Sequence, residues 1–277
     1  MSGSSRGPSG DGLRIVADLG RSHRWTLHRG ELPDGRPVFV KRGADFASEA
    51  AGLRWLGEAG AVAVPEVIEC TGDRLVLEWI ERGAPTDEAA ERFGRDLARL
   101  HRAGAESFGA PWPGWIAELP MDNSPCEDWP SFYAQRRLLP FIRLARDRGE
   151  LSDSDVRTLE SVIDRLPELS GPPEPPSRIH GDLWSGNVLW TRDRGAVLID
   201  PAAHGGHRET DLAMLALFGA PRLDRVLGAY REEAPLADGW RERVPLHQLH
   251  PLLVHVCLFG ESYRSSLLEA AGRTLAI

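Results

Sequence analysis

Residues 180 to 187 read His-Gly-Asp-Leu-Trp-Ser-Gly-Asn, and a later apolar run, Val197-Leu198-Ile199, ends in Asp200 and is stopped by Pro201. The first segment has no helical spacing of apolar residues. Asp182 and Asn187, five positions apart, are therefore predicted to face one cleft from a single loop. Val197 to Asp200 is predicted to be a short buried strand ending in a carboxylate. Singly, each piece has an ordinary reading as a turn or cap residue. Together they demand a fold in which a loop and a strand end bring two carboxylates and an amide to one place.

That donor set suits phosphoryl transfer, which asks a protein for little covalent chemistry: an orienter for the attacking hydroxyl, cationic charge on the phosphates and fixed geometry. Asp182 is the candidate catalytic base, and Asn187 with Asp200 are candidate ligands for Mg2+ bridging two phosphates. Lys41 ends the apolar strand Val38-Phe39-Val40 and is the candidate phosphate anchor, with Glu49 as its partner and Glu58 as the rival. A plain surface salt pair is the alternative for Lys41. His180, beside the base, is read as bracing the loop through hydrogen bonds rather than shuttling protons. Asp211 is expected to cap a helix and to brace the loop backbone. Arg208 and Glu209 are expected to pair with each other, with contact to substrate as the alternative.

The rest of the chain divides into two parts. From Arg14 to Val40 the pattern is β-type, with a hairpin turn at Leu32-Pro33-Asp34-Gly35 leading into the strand that ends in Lys41. Phe46 to Leu56 has helical spacing closed by Gly57 and Gly60, and two strands follow at Glu66 to Cys70 and Arg74 to Trp79. Past Glu81-Arg82-Gly83-Ala84-Pro85 the pattern becomes mainly helical. Helices are expected at Thr86 to His101, Trp129 to Arg148, Ser152 to Leu166, Asp211 to Phe218, Leu223 to Glu233 and Leu246 to Ala271. A Pro-rich connector at residues 171 to 176 hands over to an extended segment at Arg178-Ile179. The predicted class is α+β and two-lobed. A tail at residues 1–13 precedes a nucleotide-binding β-rich lobe at 14–81 and a catalytic, substrate-binding helical lobe at 82–277, with the motifs on the walls of the cleft between lobes.

Composition narrows the partners. At 277 residues and 42% hydrophobic content, the chain can bury a full core. A net charge of −8 argues against nucleic acid as a partner. No apolar run approaches the roughly 18 residues of a membrane span, and Met1 to Gly10 is rich in Ser, Gly and Pro rather than apolar. The expectation is a cytoplasmic protein with no membrane partner. Cys70, Cys126 and Cys257 are odd in number and far apart, which excludes a disulfide framework or a CxxC metal site. Nine Trp against three Tyr is unusual, since aromatics at pocket walls can stack on sugars or purines, but most of them are expected to be core or packing residues.

The block His180 to Asn187, with Ile199-Asp200-Pro201-Ala202 and Gly206-His207-Arg208-Glu209 before Asp211-Leu212-Ala213-Met214, resembles the fructosamine/ketosamine-3-kinase family. Its Leu183-Trp184-Ser185-Gly186 insert separates it from the looser likeness to aminoglycoside phosphotransferases and other protein-kinase-like proteins. Nearly everything after about residue 14 is covered. The resemblance implies ATP and Mg2+, with phosphate passed to O3 of a small-molecule or protein-attached sugar ketoamine, and deglycation as the outcome. It implies Asp182 as base, Asn187 and Asp200 as metal ligands, Lys41 as anchor and Glu78-Trp79-Ile80 as the hinge meeting adenine. Trp184 is the candidate for stacking on the sugar, with a core wedge as the alternative, and His180 borders the same substrate side. A monomer or weak homodimer is expected. One departure stands out: Leu19-Gly20-Arg21-Ser22-His23 has a single glycine, Gly20, where the family usually carries a double-Gly phosphate loop, and no Cys lies between Gly20 and Lys41. Three other readings stay open. One is a kinase of another hydroxyl compound, aminoglycoside or choline-like, with an acidic pocket from Glu118, Asp122, Glu127 and Asp128. A second is a non-catalytic nucleotide-binding module. The third is a metallohydrolase on His180, Asp182, His204 and His207, which lacks HExxH spacing.

Overall fold

A computed structural model describes residues 12–277. The expected tail at 1–13 lies, up to residue 11, outside the described residues. The first lobe is a five-stranded antiparallel sheet of β1 (Arg14–Ser22), β2 (Trp25–Glu31), β3 (Pro37–Arg42), β4 (Val67–Thr71) and β5 (Arg74–Glu78), in the order β1-β2-β3-β5-β4. Helix α1 (Ala47–Glu58) crosses between β3 and β4. The β2–β3 turn closes through the Gly35 N–H donating to the Leu32 carbonyl at 2.9 Å, with Gly35 at φ 85°. Alternation along β3 sends Val38 and Val40 to one face, packed with Leu32 and Val76. Phe39 goes to the other, against Phe46, Leu53 and Leu77. Lys41, two positions after Phe39, shares the face that α1 covers.

Residues 79–86 run without regular structure into the second lobe. There α2 (Asp87–Arg102) is capped by Thr86, whose hydroxyl accepts the Ala89 N–H at 3.1 Å. A short hairpin, β6 (Gly114–Ile116) and β7 (Leu119–Met121), precedes α3 (Trp129–Phe132) and α4 (Leu139–Asp147). Helices α5 (Asp153–Asp164) and α6 (Leu166–Leu169) follow, α5 opening on a capping box between Ser152 and Asp155. Two antiparallel strand pairs carry the central motifs: β8 (Ser177–Ile179) with β11 (His204–Gly206), and β9 (Val188–Trp190) with β10 (Ala196–Leu198). The chain ends in α7 (Arg208–Leu217), α8 (Leu223–Glu233), α9 (Trp240–Phe259) and α10 (Arg264–Leu275). One core lies where α2 and α8 close over Leu183, Trp190 and Leu198. The other lies among α3 to α5, α9 and α10, around Phe132, Tyr133, Phe141 and Leu253. Each fully buried Leu or Phe contributes about 1.5–3 kcal/mol.

Several expected boundaries differ. The helix expected at Trp129 to Arg148 contains a π-helical stretch, Tyr133–Leu138, just before Pro140. Pro140 has no N–H to offer the Arg136 carbonyl, so the ladder widens there. The helix expected at Leu246 to Ala271 is two helices, parted at Gly260, which takes φ 70°. Helix α7 starts three residues before Asp211 and is capped by His207, so Asp211 is not the cap. Gly57 does not close α1, which runs on to Glu58. Among the described residues no helix is long and apolar enough to cross a membrane.

Candidate active site

The 3-10 turn Ser185–Asn187 leads straight into β9, and β9 pairs with β10 in a register that sets Val188 opposite Leu198. The Ile199 N–H then donates to the Asn187 carbonyl at 3.0 Å. Strand pairing therefore delivers Asn187 and Asp200 to the same spot. The Asn187 amide nitrogen donates to the Asp182 carbonyl at 2.9 Å and to Asp182 Oδ2 at 3.1 Å. Burial, with the Asp200 charge added, raises the Asp182 carboxyl to about 7.

The loop that carries Asp182 is held from behind. Asp211, buried in the first turn of α7, accepts the backbone N–H of His180 at 2.8 Å and of Gly181 at 2.9 Å, and meets His101 Nε2 at 3.1 Å. Burial alone would raise the Asp211 carboxyl, but these donors hold it below its ordinary value. Gly181 takes φ 80°, and a Cβ there would overlap the Ala202 carbonyl, so only glycine fits. His180 is fully enclosed: the Asp182 N–H donates to its Nδ1 at 3.2 Å, which leaves Nε2–H to donate to the Ile199 carbonyl at 2.9 Å. Burial lowers its pKa. His180 thus stitches the loop to the strand before Asp200.

Lys41 reaches in from the other lobe. Its Nζ donates to Glu49 Oε1 at 2.8 Å, Glu49 Oε2 at 2.9 Å and Asp200 Oδ1 at 2.7 Å. Glu49, not Glu58, is the partner; Glu58 lies near Arg178 at 3.9 Å. Asp200 itself takes φ 52°, a left-handed conformation uncommon outside glycine, immediately before Pro201. Asn187 Oδ1 and Asp200 Oδ2 have no hydrogen-bond donor among the described residues, whereas the other polar atoms of both side chains are engaged. Two free hard oxygens beside a carboxylate are a set that Mg2+ accepts.

These groups open on a cleft of about 420 Å3. The β1–β2 turn Ser22 to Trp25 and Phe46 line it from the first lobe, and Trp112, Trp115 and Trp184 from the second. Trp184 is 40% and Trp115 44% exposed. Most tryptophans were expected in the core and only Trp184 was singled out for the substrate side; nothing in the sequence said that Trp112 and Trp115 would reach the cleft. The hinge candidates Glu78, Trp79 and Ile80 are not among this cleft's lining residues. Glu78 pairs with Arg194 at 3.2 Å, and Trp79 donates to Glu81 at 2.8 Å. Gly20 does not line the cleft either: it sits inside β1, its N–H donating to Asp18 Oδ1 at 2.8 Å.

Other expected groupings are dispersed. Arg208 pairs with Glu174 at 2.6 Å and Glu209 with Arg243 at 2.6 Å, not with each other. The acidic pocket is not assembled: Asp122 pairs with Arg136 at 2.7 Å, Asp128 caps α3, and Glu118 lies 3.4 Å from Arg24. Of the metallohydrolase candidates, His207 clusters with Glu209 and His247 rather than with His180 and Asp182 in any group that could hold a metal among the described residues. Cys70, Cys126 and Cys257 are all unpaired, and Cys257 is buried.

A β-sheet lobe resting on a helical lobe, with a lysine from one meeting a carboxylate from the other above an Asp-to-Asn loop, defines a kinase of the protein-kinase-like fold. Residues 33–276 match the fructosamine kinase family, and the chain belongs to it. It is 37% identical over 268 residues to an Enterococcus faecium protein named a probable ketoamine kinase, covering 91% of each. It is 33% identical over 250 residues to the chloroplastic protein-ribulosamine 3-kinase of Arabidopsis thaliana, covering 85% of this chain and 75% of that one. A Thermobifida fusca crystal structure assigned as a fructosamine-3-kinase superposes with a TM-score of 0.92 at 59% identity, over 96% of this chain and 94% of that one.

Proposed function

We propose that this kinase transfers the γ-phosphoryl group of ATP to O3 of a sugar ketoamine. The observation that carries the reading is Asp182, a carboxylate with a pKa near 7, set in one cleft with Lys41, Asn187 and Asp200 and walled by Trp184. Asp182 is the base: it takes the proton of the attacking hydroxyl as the O–P bond to the acceptor forms and the bond to the departing ADP breaks. Lys41, held in place by Glu49, grips the nucleotide phosphates. Asn187 Oδ1 and Asp200 Oδ2 would hold Mg2+, which when bound neutralises charge building on the phosphate oxygens. Trp184 offers an indole face to the apolar side of a sugar.

The relatives named as ketoamine and ribulosamine kinases support the acceptor class. A 3-phosphorylated ketoamine is labile, since enolisation toward C1 expels the phosphate and the remaining imine hydrolyses, so phosphorylation leads to deglycation. The unpaired cysteines accord with a reducing compartment such as the cytoplasm. Incubating the protein with Mg2+-ATP and fructosyl- or ribulosyl-lysine should give ADP and a phosphomonoester at O3, read by 31P NMR. Transfer to kanamycin or choline with none to a ketoamine would overturn the reading.

A further inference from the structure

We propose that Arg24 is a side-chain ligand of the nucleotide's terminal phosphates and that Glu118 holds it across the cleft mouth until nucleotide arrives. The inference rests on the ATP reading above and concerns the turn that overhangs the phosphates in this class of fold.

Phosphate-covering loops normally hold anions with successive backbone N–H groups, which glycines make accessible. This turn is poor in them. Gly20, at φ 96°, has been drawn into β1, and its N–H is committed to Asp18. Ser22 and Trp25 face each other in the ladder, leaving a two-residue turn of His23 and Arg24. His23 takes φ 52° at the first central position, where such a turn favours glycine. Cationic charge at this point must come from a side chain, and Arg24 lines the cleft with Lys41 and Asp200.

The Arg24 guanidinium makes no hydrogen bond to the described residues; its charged neighbour is Glu118, with Nε to Oε2 at 3.4 Å. Glu118 lies in the β6–β7 turn, so the pair spans the two lobes. With side chains 64% and 39% exposed, the pair is weak. A triphosphate carries more charge and matches the guanidinium fork with two oxygens, so it outcompetes a single carboxylate. The exchange leaves the wall standing. Ser48 Oγ donates to the Pro113 carbonyl at 2.6 Å, and the Asn123 side chain donates to the Trp112 carbonyl at 3.4 Å, with Glu118 taking no part in either bond.

Calorimetric titration of Mg2+-ATP and of adenosine, without acceptor, tests the assignment. Arg24→Gln should weaken ATP about tenfold while adenosine stays within about twofold, and Arg24→Lys should recover part of the loss. Glu118→Gln should tighten ATP about two- to threefold by removing the competitor. Both side chains are exposed, and matching melting curves check that the variants fold. An Arg24→Gln affinity for ATP within twofold of wild type, a parallel loss for adenosine, or weaker ATP binding by Glu118→Gln would each overturn the proposal. Should these shifts appear while no ketoamine is phosphorylated, Arg24 keeps its role and the acceptor assignment fails. A wild-type protein that binds no ATP overturns both.

Discussion

Lys41 Nζ lies 2.7 Å from Asp200 Oδ1, a contact that joins residues 159 positions apart and closes the back of the cleft between the lobes. Burial by itself would drive the ammonium to lose its proton, but the Asp200 and Glu49 carboxylates outweigh that and hold its pKa above the ordinary value. One cation is shared by two carboxylates, of which burial raises Glu49 to about 7.

Removing the cation strands its partners. Lys41→Met should cost about 3–5 kcal/mol of folding stability in urea titrations, because Glu49 and Asp200 lose their shared cation and Glu49, already raised to about 7 by burial, must take up a proton. The double variant with Glu49→Gln should regain a large part of that loss while still failing to bind Mg2+-ATP. Equal stability of wild type and Lys41→Met would show that the cluster carries no structural load.

With Asp182 as the proposed base, the pH dependence of the reaction follows from its carboxyl. A base must be unprotonated, so kcat/KM for the acceptor should climb with pH and level off above about 7. Asp182→Asn should lower kcat by about a hundredfold to ten-thousandfold with ATP affinity retained. Stability moves the opposite way. A carboxyl raised from 3.8 to about 7 binds its proton more tightly in the folded state, so stability falls as pH rises through that window. The Asn variant should therefore gain more over wild type at pH 8 than at pH 5 in thermal melts.

Trp184 should discriminate the acceptor and ignore the nucleotide. Its ring stands edge-on to Phe218 at 6.3 Å and covers Gly186, where a Cβ would overlap the indole. Trp184→Ala should raise KM for a ketoamine about tenfold, Trp184→Phe much less, and Gly186→Ala should act like the first by pushing the ring aside. Unchanged KM in Trp184→Ala would assign the ring to packing alone.

Gly94 sets the closeness of α2 and α8. A Cβ there would overlap the Val226 carbonyl and stand 3.0 Å from the Tyr230 nitrogen. Gly94→Ala should lower stability by about 3 kcal/mol by chemical denaturation, against the slight gain expected in an exposed helix.

The elements that could be read in advance were those with local causes. Thr86 and Ser152 cap their helices because a hydroxyl placed before a helical run finds an unpaired N–H within three residues. The strand carrying Lys41 was visible from its β-type pattern and the Asp34-Gly35 turn, though β3 runs one residue further, to Arg42. The π-helical stretch before Pro140, the break at Gly260 and the shift of the first turn from Gly20 to His23 were not. Each depends on how neighbouring carbonyls and ladders are satisfied in three dimensions.

The octapeptide His180 to Asn187 and the apolar run before Asp200 by themselves pointed to a loop and a strand presenting Asp182, Asn187 and Asp200 together; the pairing of β9 with β10, and the end of β10 at Leu198 rather than Asp200, came from the structure. Tertiary structure alone decided what surrounds them. Asp211 braces the loop as expected, but packing draws it inside the first turn of α7, so it does not cap that helix. Arg208 and Glu209 found Glu174 and Arg243 instead of each other. Trp112, Trp115 and Arg24 joined the cleft from segments with no local signal. The reason is physical: caps, turns and strand alternation are settled among residues a few positions apart, whereas a buried charge takes whichever partner the packing of distant elements brings within reach.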